Sequence, residues 1–451
     1  MEKLNINEIK NFTNGELLLN NNNFDIEDIV IDSKIASSKS LFVPIIGKVH
    51  DGHKFMEGAY QNGCRNFVCD SNHEFNKKDI NLVEVSDTTI AFGKIAKGYK
   101  EKFSIPLIGI TGSVGKTSTK DIINSVLSSK YNVVKTQGNL NNEIGIPKTL
   151  LNLNSETEVG IIEMGMDKKG EIDYLTHLVN PDIAVITNIG MSHIANFEKQ
   201  EGIFEAKMEI VNGFKDEGTL IVNGDDKFLK TLKQKKHDYD LITYGFNDDN
   251  DIYCNKYEFI DDKIKFSCIY QNKEYEFILD SVAKHNIEGA LASIIIGFKM
   301  NLEAKDIEKG LSNIDFSSNR LNIIRGKYNI IDDCYNACYD SVVSALAVLN
   351  NFNTRKVAIL GDIFELGKYS DEVHKKIGNV VDCDVLIAIG DNAKYIKEEA
   401  DKRNINAYYF KTKEEFLKEA DSILIEGDTV LIKASNGMKF SEIVEALKIK
   451  K

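Results

Sequence analysis

The sequence lacks the features of membrane, secreted and nucleic-acid-binding proteins. Its apolar runs stay shorter than the ~18 residues that cross a bilayer, and the first residues contain no apolar signal core. The chain carries 56 basic and 69 acidic residues, a net charge of −13, which disfavours non-specific binding to nucleic acid. We therefore expect a cytoplasmic protein with no membrane insertion and no nucleic-acid partner, and we expect a monomer.

Cysteine usage disfavours a disulfide scaffold. The seven cysteines are irregularly spaced and contain no C-x-x-C motif, as is typical of reduced thiols in a cytosolic protein. Cys334 and Cys338 are four residues apart, but a metal site there would need two further soft ligands from elsewhere in the chain.

The length of 451 residues suggests about three domains of ~150 residues each. From residue 104 onward, strands that are apolar throughout alternate with helical stretches, which predicts α/β architecture with buried parallel sheets. Residues 250–280 differ and predict an antiparallel meander. We expect a small α/β domain over 1–102, a central parallel-sheet domain over 103–315, and a C-terminal, Rossmann-like, doubly wound domain over 316–451.

The most informative segment is residues 106–119, PLIGITGSVGKTST. An apolar strand enters a glycine turn, and Lys116-Thr117 opens a helix, as in a P-loop that cradles phosphates with backbone N–H groups. Ile110 replaces the first glycine of the usual pattern, so the motif is a shortened one. Lys116 can reach the β/γ-phosphates of ATP and Thr117 can bind Mg²⁺. The residues expected to contact the nucleotide here are Thr111, Gly112, Ser113, Val114, Gly115, Lys116, Thr117 and Ser118.

Three further residues are candidates for the metal site. Glu163 ends an apolar strand, where a carboxylate can bind Mg²⁺ beside a P-loop or serve only as a surface or capping group. His193 follows the next strand and, taken alone, is either a loop histidine or an unusual ligand for a hard cation. Lys207, on a predicted helix, would repel Mg²⁺ as an ammonium, so the sequence alone predicts a solvated lysine.

Two polar loops could contact substrates. Asn139, Asn141 and Asn142 precede a helix, where their amides can bind substrate oxygens or simply form a turn. Asp333 and Asn336 follow a strand of the third domain and can hold ribose hydroxyls or cap the next helix.

Together these motifs resemble the ATP-dependent Mur ligases over nearly the whole chain. Each motif beyond the P-loop is weak alone, whereas their common order and spacing are specific. The matching segments are Asp32-Ser33-Lys34, Asp51-Gly52-His53, Thr111–Thr119, Gly138–Pro147, Glu163-Met-Gly, Thr187–His193, Ala206–Ile210, Asp332–Asn336, Gly361–Gly367 and Lys433-Ala-Ser435.

The resemblance implies ATP and two Mg²⁺ ions as cofactors. Thr117 and Glu163 would hold the first ion, while His193 and a carbamylated Lys207 would position the second. Carbamylation turns the lysine into an oxygen-bearing anion, which removes the repulsion. The resemblance assigns catalytic roles to Lys116, Lys207 and His193, nucleotide contacts to Asn286, Arg320, Asp333 and Tyr335, and substrate contacts to Ser33, Lys34, Asp51, Gly52, His53, Asn139, Asn141 and Asn142.

Within the family, Gly361-Asp-x-x-Glu-Leu-Gly and Asp-x-Tyr-Asn favour one reaction. ATP would phosphorylate the terminal carboxylate of UDP-N-acetylmuramoyl-tripeptide, and D-alanyl-D-alanine would attack the acyl phosphate. This would be an amide-forming step of peptidoglycan synthesis. Lys34, Cys338-Tyr339 and Asn436 depart from the family pattern, in parts that place substrates. A related ligase for a different carboxylate and amine therefore stays an alternative.

Overall fold

A computed structural model describes residues 1–21, 24–47, 50–192, 194–215, 217–316 and 321–448. It contains three sheets, each flanked by helices, so the predicted α/β architecture is confirmed. Within the described residues, no helix combines the length and the apolar character needed to cross a bilayer. Two predicted site residues, His193 and Arg320, lie outside the described residues, as does part of the predicted hinge near residues 312–319.

The first sheet has five strands in the order β1-β5-β4-β3-β2, parallel except for the β1–β5 pair. Asp87 caps the third helix by accepting a hydrogen bond from Ile90 N–H at 2.8 Å. The elements are α1 (Ile6–Thr13), β1 (Glu16–Leu19), β2 (Asp28–Val30), β3 (Ser40–Phe42), α2 (Met56–Gln61), β4 (Asn66–Asp70), β5 (Asn81–Val85) and α3 (Thr88–Lys100), with 3-10 turns at Ser33–Ile35 and Gly52–Phe55.

The second sheet has nine strands in the order β14-β13-β12-β11-β10-β9-β6-β8-β7. Strands β6 to β11 pair in parallel. Strands β12–β14 form an antiparallel meander that extends the same sheet, which confirms the meander predicted for residues 250–280. Its strands are β6 (Leu107–Thr111), β7 (Val133–Lys135), β8 (Val159–Glu163), β9 (Ile183–Ile186), β10 (Thr219–Asn223), β11 (Asp240–Gly245), β12 (Ile252–Ile260), β13 (Lys263–Tyr270) and β14 (Lys273–Leu279). Its helices are α4 (Lys116–Leu127), α5 (Gly145–Leu150), α6 (Glu171–Val179), α7 (Ile194–Phe197), α8 (Gln200–Met208), α9 (Asn286–Lys299) and α10 (Ala304–Leu311), with 3-10 turns at Glu209–Gly213 and Leu229–Gln234.

The central strands of this sheet are buried on both faces. All residues of β6, β8 and β9 are buried, because one apolar cluster lies under α4 and α9 and another under α3, α6 and α8. Such continuous burial explains why these strands read as unbroken apolar runs. The parallel arrangement brings the carboxyl ends of β6, β8 and β9 to one edge, where the P-loop begins.

The third sheet has six strands in the order β15-β16-β20-β17-β18-β19, parallel except for the β15 edge. Helices pack on both of its faces, over separate apolar clusters. The domain boundaries at residues 102/103 and 315/316 stay predictions, and they fall between the sheets. The elements are β15 (Asn322–Ile324), β16 (Asn329–Asp332), α11 (Tyr339–Leu349), β17 (Lys356–Gly361), α12 (Ser370–Val380), β18 (Val385–Ile389), α13 (Lys394–Lys402), β19 (Asn406–Phe410), α14 (Lys413–Ile423), β20 (Thr429–Lys433) and α15 (Ser441–Lys448), with 3-10 turns at Gly367–Tyr369 and Asn436–Met438.

Candidate functional site

The P-loop leads from β6 into the N-terminus of α4. Gly115 has φ +82° and open space around its Cα, so its backbone can approach a ligand closely and a side chain there would be strained. At Gly112, also with positive φ, a Cβ would collide with the Thr187 hydroxyl. Lys116 Nζ donates to the Gly112 carbonyl oxygen at 2.6 Å. The loop therefore has the form that backbone N–H groups and a lysine need to hold phosphate.

Two predicted metal ligands meet at this turn. Thr117 Oγ1 donates to Glu163 Oε2 at 2.9 Å, and Asn141 Nδ2 donates to Glu163 Oε1 at 3.0 Å. Glu163 is 2% exposed, so its carboxylate is aligned by these two neutral donors. The hydroxyl and the carboxylate oxygens form a hard-oxygen set of the kind that suits Mg²⁺.

A network of ion pairs that includes two buried residues, Lys120 and Asp121, lies next to Glu163. Lys120 Nζ, with no exposure, lies 3.8 Å from Glu163 Oε2 and 3.6 Å from Asp121 Oδ1. Lys135 Nζ forms a closer ion pair with Asp121 Oδ1, at 2.9 Å. The sequence analysis missed this network, although Lys120 follows Lys116 by one helical turn, a spacing that places the two side chains on one face of α4.

Lys207 is buried, at 3% exposure, so the prediction of a solvated lysine from the sequence alone is wrong. Burial, followed by the nearby Lys116 charge, places the pKa of Lys207 well below its usual value. Burial at this position therefore favours the uncharged amine over the ammonium. Helix α8 brings it toward the P-loop because Ile203, Ala206 and Ile210 bury the same side of the segment in the core.

The third domain contributes a buried ion pair. Lys433 Nζ lies 2.6 Å from Asp333 Oδ2 and donates to the Asn336 carbonyl oxygen at 2.9 Å. The capping alternative for Asp333 and Asn336 is wrong, because α11 begins after Cys338, whose backbone N–H donates to Ser341 Oγ at 3.0 Å. The Asp333–Lys433 pair instead fixes the loop that carries Tyr335.

The second and third domains touch beside the P-loop. The Asp340 carboxylate lies against Gly190, at a distance that leaves no room for a Cβ, and Ser113 Oγ accepts a hydrogen bond from Gly190 N–H at 2.9 Å. Burial, followed by the charge of Asp226, raises the pKa of Asp340. The sequence analysis did not identify Asp340 and included Gly190 only within the segment Thr187–His193, since nothing in their spacing predicts a contact between domains.

These elements surround one cavity of about 1050 Å³. The first domain contributes Asp87, Thr89 and Ile90, none of which was predicted. Lys433 lines it as well, and so do Lys168 and Tyr174. The predicted residues that line it are Ser113, Val114, Gly115, Lys116, Thr117, Ser118, Asn141, Asn142, Glu163, Asn286, Asp333, Tyr335 and Asn336.

Within the described part of the chain, some predicted site residues do not line the cavity. Thr111 is buried and donates to the Met164 carbonyl oxygen at 3.0 Å, and Asn139 is exposed on the loop before Asn141. Asn286 does line it, but its amide donates to Ser281 Oγ at 2.8 Å within the protein. Gly112 and Lys207 are not among the residues that line the cavity.

The five candidates in the first domain form a separate group. Lys34 is exposed at a 3-10 turn that Asp32 caps. His53 is buried and contacts Asp51, while Gly52 packs so tightly against residues 44 and 45 that a Cβ would collide with them. A direct substrate contact by His53 would therefore require this loop to rearrange, and Ser33, Lys34 and Asp51 stay candidate substrate contacts.

Comparisons with known proteins agree with this geometry. Family models for the Mur ligase middle domain and the Mur ligase glutamate ligase domain match residues 110–297 and 319–436. The UDP-N-acetylmuramoyl-tripeptide–D-alanyl-D-alanine ligase of Bacillus subtilis is 36% identical over 94% of this chain and 93% of its own. The chain belongs to the Mur ligase family.

Solved structures extend the similarity to all three domains. A crystal structure of MurF from Acinetobacter baumannii matches with a TM-score of 0.93 at 28% identity, covering 100% of both chains. MurF from Thermotoga maritima, solved in complex with ADP, matches with a TM-score of 0.83 at 25% identity over 93% of this chain and 97% of its own. This Mur ligase therefore has the whole MurF architecture.

Proposed function

We propose that this Mur ligase joins D-alanyl-D-alanine to the terminal carboxylate of UDP-N-acetylmuramoyl-tripeptide, at the expense of ATP, in the cytoplasmic synthesis of peptidoglycan precursors. The observation that carries the proposal is the Thr117–Glu163 pair at a P-loop that opens into a cavity shared by three domains. Relatives that carry this name match nearly the full length of the chain.

The chain's own groups account for the handling of ATP. P-loop N–H groups and the N-terminus of α4 bind the phosphates, and Lys116 turns from the Gly112 carbonyl oxygen to the transferred phosphoryl group. Asn286, Asp333 and Tyr335 lie on the walls where a bound nucleotide would extend. Arg320 stays a predicted contact. Closure of the third domain over the nucleotide would exclude water from the acyl phosphate.

Thr117 and Glu163 would hold the first Mg²⁺, since both present oxygen atoms to one point and Glu163 is already aligned by Asn141. Bound there, the ion supplies charge neutralisation for the transferred phosphoryl group. A second ion held by His193 and Lys207 stays part of the proposal. The low pKa of the buried Lys207 supports its carbamylation, because only the uncharged amine adds to carbon dioxide.

The two ends of the UDP-linked substrate would contact different parts of the chain. The first domain, with Ser33, Lys34, Asp51, Gly52 and His53, would hold the UDP-sugar. Asn139, Asn141 and Asn142 would then position the peptide whose carboxylate reaches the P-loop. A monomer as the functional unit stays part of the proposal. Substrates carried on UDP, and the use of ATP, support a cytoplasmic location.

The test is phosphate release with ATP, Mg²⁺, UDP-N-acetylmuramoyl-tripeptide and D-alanyl-D-alanine, each omitted in turn, with the product mass recorded. We expect release only in the complete mixture, together with a UDP-linked pentapeptide. Acyl-phosphate formation with the tripeptide but no product with this dipeptide would favour the alternative, a ligase for another amine. A lack of response to the UDP-tripeptide would refute the proposed carboxylate substrate.

A further inference from the structure

The loop that follows β17 exposes two neighbouring residues between two buried ones. Ile363 and Leu366 are buried in the core of the third domain. Between them, Phe364 is 46% exposed, and Glu365 has φ +63°, a costly conformation for a residue with a side chain and one that is concentrated at functional sites. A single exposed phenylalanine is ordinary on an outer surface, whereas Phe364 lines the large cavity, where apolar side chains contact ligands.

Three consecutive residues fix this loop to three different elements. The Asp362 carboxylate accepts hydrogen bonds of 2.7–3.0 Å from three backbone N–H groups at the start of α13. Ile363 N–H donates to His374 Nε2 at 3.0 Å, and Phe364 N–H donates to Ser435 Oγ at 2.9 Å. Phe364 therefore cannot leave the cavity unless these bonds break, and its ring is in place before any substrate binds.

The same loop reaches the second domain beside the P-loop. A Cβ added to Gly367 would lie 3.4 Å from Ala195 Cβ, on α7. Just before α7, Ser192 lines the cavity and its hydroxyl donates to the Ser113 carbonyl oxygen of the P-loop at 3.4 Å. The loop thus lies where the third domain meets the segment that borders the phosphate site.

The cavity wall around Phe364 is apolar. The residues that form it are Ala337, Ile363, Phe364, Leu366 and Val373. Phosphates and the carboxylate to be phosphorylated need the N–H groups, lysine and metal ligands of the P-loop side. D-alanyl-D-alanine carries two methyl groups, whose transfer from water to an apolar wall is favourable. Of the substrates in the proposed reaction, the incoming dipeptide therefore fits this wall best.

His374 is held in one tautomer. The side chain has no exposure, and its Nδ1 donates to the Ser370 carbonyl oxygen at 2.7 Å. Nε2 therefore keeps the lone pair that Ile363 N–H requires. Burial lowers the pKa of His374, which favours the neutral ring; a protonated ring would direct a second N–H at the N–H of Ile363. One acceptor atom of His374 thus fixes the backbone next to Phe364.

We propose that Phe364 is the contact surface for the methyl groups of the incoming D-alanyl-D-alanine, and that His374 is the positioning residue that holds it at the cavity. This inference rests on the proposed function, and it identifies where the amine substrate of that reaction binds.

Steady-state kinetics on the full chain test the contact, with each substrate varied in turn while the others are saturating. Phe364→Ala should raise KM for D-alanyl-D-alanine at least about tenfold, while KM for ATP and for the UDP-tripeptide should stay within about twofold of the wild type. Phe259→Ala is the matched control, because Phe259 is a 41% exposed phenylalanine of β12 that does not line the large cavity. It should keep all three KM values.

Phe364→Trp reports the contact directly, because the chain contains no tryptophan. With the UDP-tripeptide and a non-hydrolysable ATP analogue already bound, addition of D-alanyl-D-alanine should remove water from the indole and shift its emission to shorter wavelength. Phe259→Trp, treated in the same way, should not respond to the dipeptide.

Two variants of His374 test its positioning role. In His374→Gln the amide oxygen takes the place of Nε2 and accepts from Ile363, whereas in His374→Asn the amide takes the place of Nδ1 and Ile363 N–H loses its acceptor. Hydrogen exchange of the Ile363 amide should be at least about tenfold faster in His374→Asn than in the wild type, and KM for the dipeptide should rise as in Phe364→Ala. His374→Gln should restore both values.

The proposal is overturned if Phe364→Ala raises KM for ATP instead, if the dipeptide leaves the emission of Phe364→Trp unchanged, or if both His374 variants behave alike. The wild type reports separately on the proposed function. If it makes no UDP-linked pentapeptide in the complete mixture, the proposed reaction fails and the dipeptide site fails with it, while exchange of the Ile363 amide still decides whether His374 positions the loop.

Discussion

Thr117 and Glu163 are 46 residues apart in sequence but share a hydrogen bond of 2.9 Å between Oγ1 and Oε2, at the edge where β6 and β8 end. The pair links the P-loop to the neighbouring strand before any ligand binds. Because Thr117 is 4% exposed and Glu163 is 2% exposed, neither side chain needs to be ordered by the metal. The metal site is therefore largely formed in advance.

Glu163→Gln should weaken Mg²⁺ binding while leaving the fold intact. The amide oxygen still accepts from Thr117, but the charge that attracts Mg²⁺ is lost. We expect the Mg²⁺ concentration for half-maximal rate to rise at least tenfold, about 1.4 kcal/mol, and turnover to fall. Rate against Mg²⁺ at fixed ATP is the measurement, with Glu205→Gln, a surface glutamate paired to Lys169 at 3.1 Å, as control. An unchanged Mg²⁺ requirement would remove Glu163 from the metal site.

Lys207 should carry a carbamate in the active enzyme. Burial lowers its pKa, which favours the uncharged amine, the form that adds to carbon dioxide. We expect a carbamate signal by ¹³C NMR in ¹³C-bicarbonate, absent in Lys207→Gln, and lower activity of the wild type in buffer free of carbon dioxide. Lys168→Gln, which alters an exposed lysine of the cavity, should keep the signal. A wild type without a carbamate, active at full rate, would refute this role.

The alternation of apolar strands with helices from residue 104 onward could be predicted from the sequence. Strands such as Val159–Glu163, Val385–Ile389 and Thr429–Lys433 are buried along their whole length, and burial on both faces produces apolar runs that the sequence shows directly. The strands at Val133–Lys135 and Asn322–Ile324 were not predicted. They are short and lie at sheet edges, where no residue is fully buried, so no periodic signal marks them.

Site residues that are close together in sequence could be predicted, whereas contacts between distant residues could not. The P-loop could be predicted because its strand, turn and helix consist of consecutive residues. The ion pair of Asp333 with Lys433 joins residues 100 positions apart, and its pairing depends on β16 lying beside β20.

Gly190 should be needed for docking of the third domain. A Cβ there would collide with the Asp340 carboxylate and approach Ser113 Cβ to 3.2 Å. We expect Gly190→Ala to lower kcat/KM at least about tenfold without a matching loss of thermal stability. Adding Asp340→Ala should recover part of the loss, because it removes one of the two obstacles.

Gly326→Ala is the control for this prediction, since the nearest atom to its added Cβ is 3.9 Å away. That variant should match the wild type in kcat/KM. If Gly190→Ala were fully active, or if Asp340→Ala gave no recovery in the double variant, the contact between Gly190 and Asp340 would not govern the working arrangement of the domains.

Glu288 should make the chain less stable as the pH rises. It lies in the first turn of α9, and burial, with the charges of Asp225 and Asp226, raises its pKa from 4.5 to about 7 against the opposing effects of Asn223 and Lys284. Between those pH values the folded state binds more protons than the unfolded state, so the free energy of unfolding falls with increasing pH.

Above pH 7 the folded chain keeps a poorly solvated carboxylate at Glu288. Glu288→Gln removes this cost and keeps the shape, so we expect a higher melting temperature than the wild type at pH 8, a gain that shrinks toward pH 4.5. Melting curves without nucleotide across this range test it, with Glu308→Gln, an exposed glutamate of α10, as the control. A gain that is the same at every pH would show that the substitution acts through packing and not through the charge of Glu288.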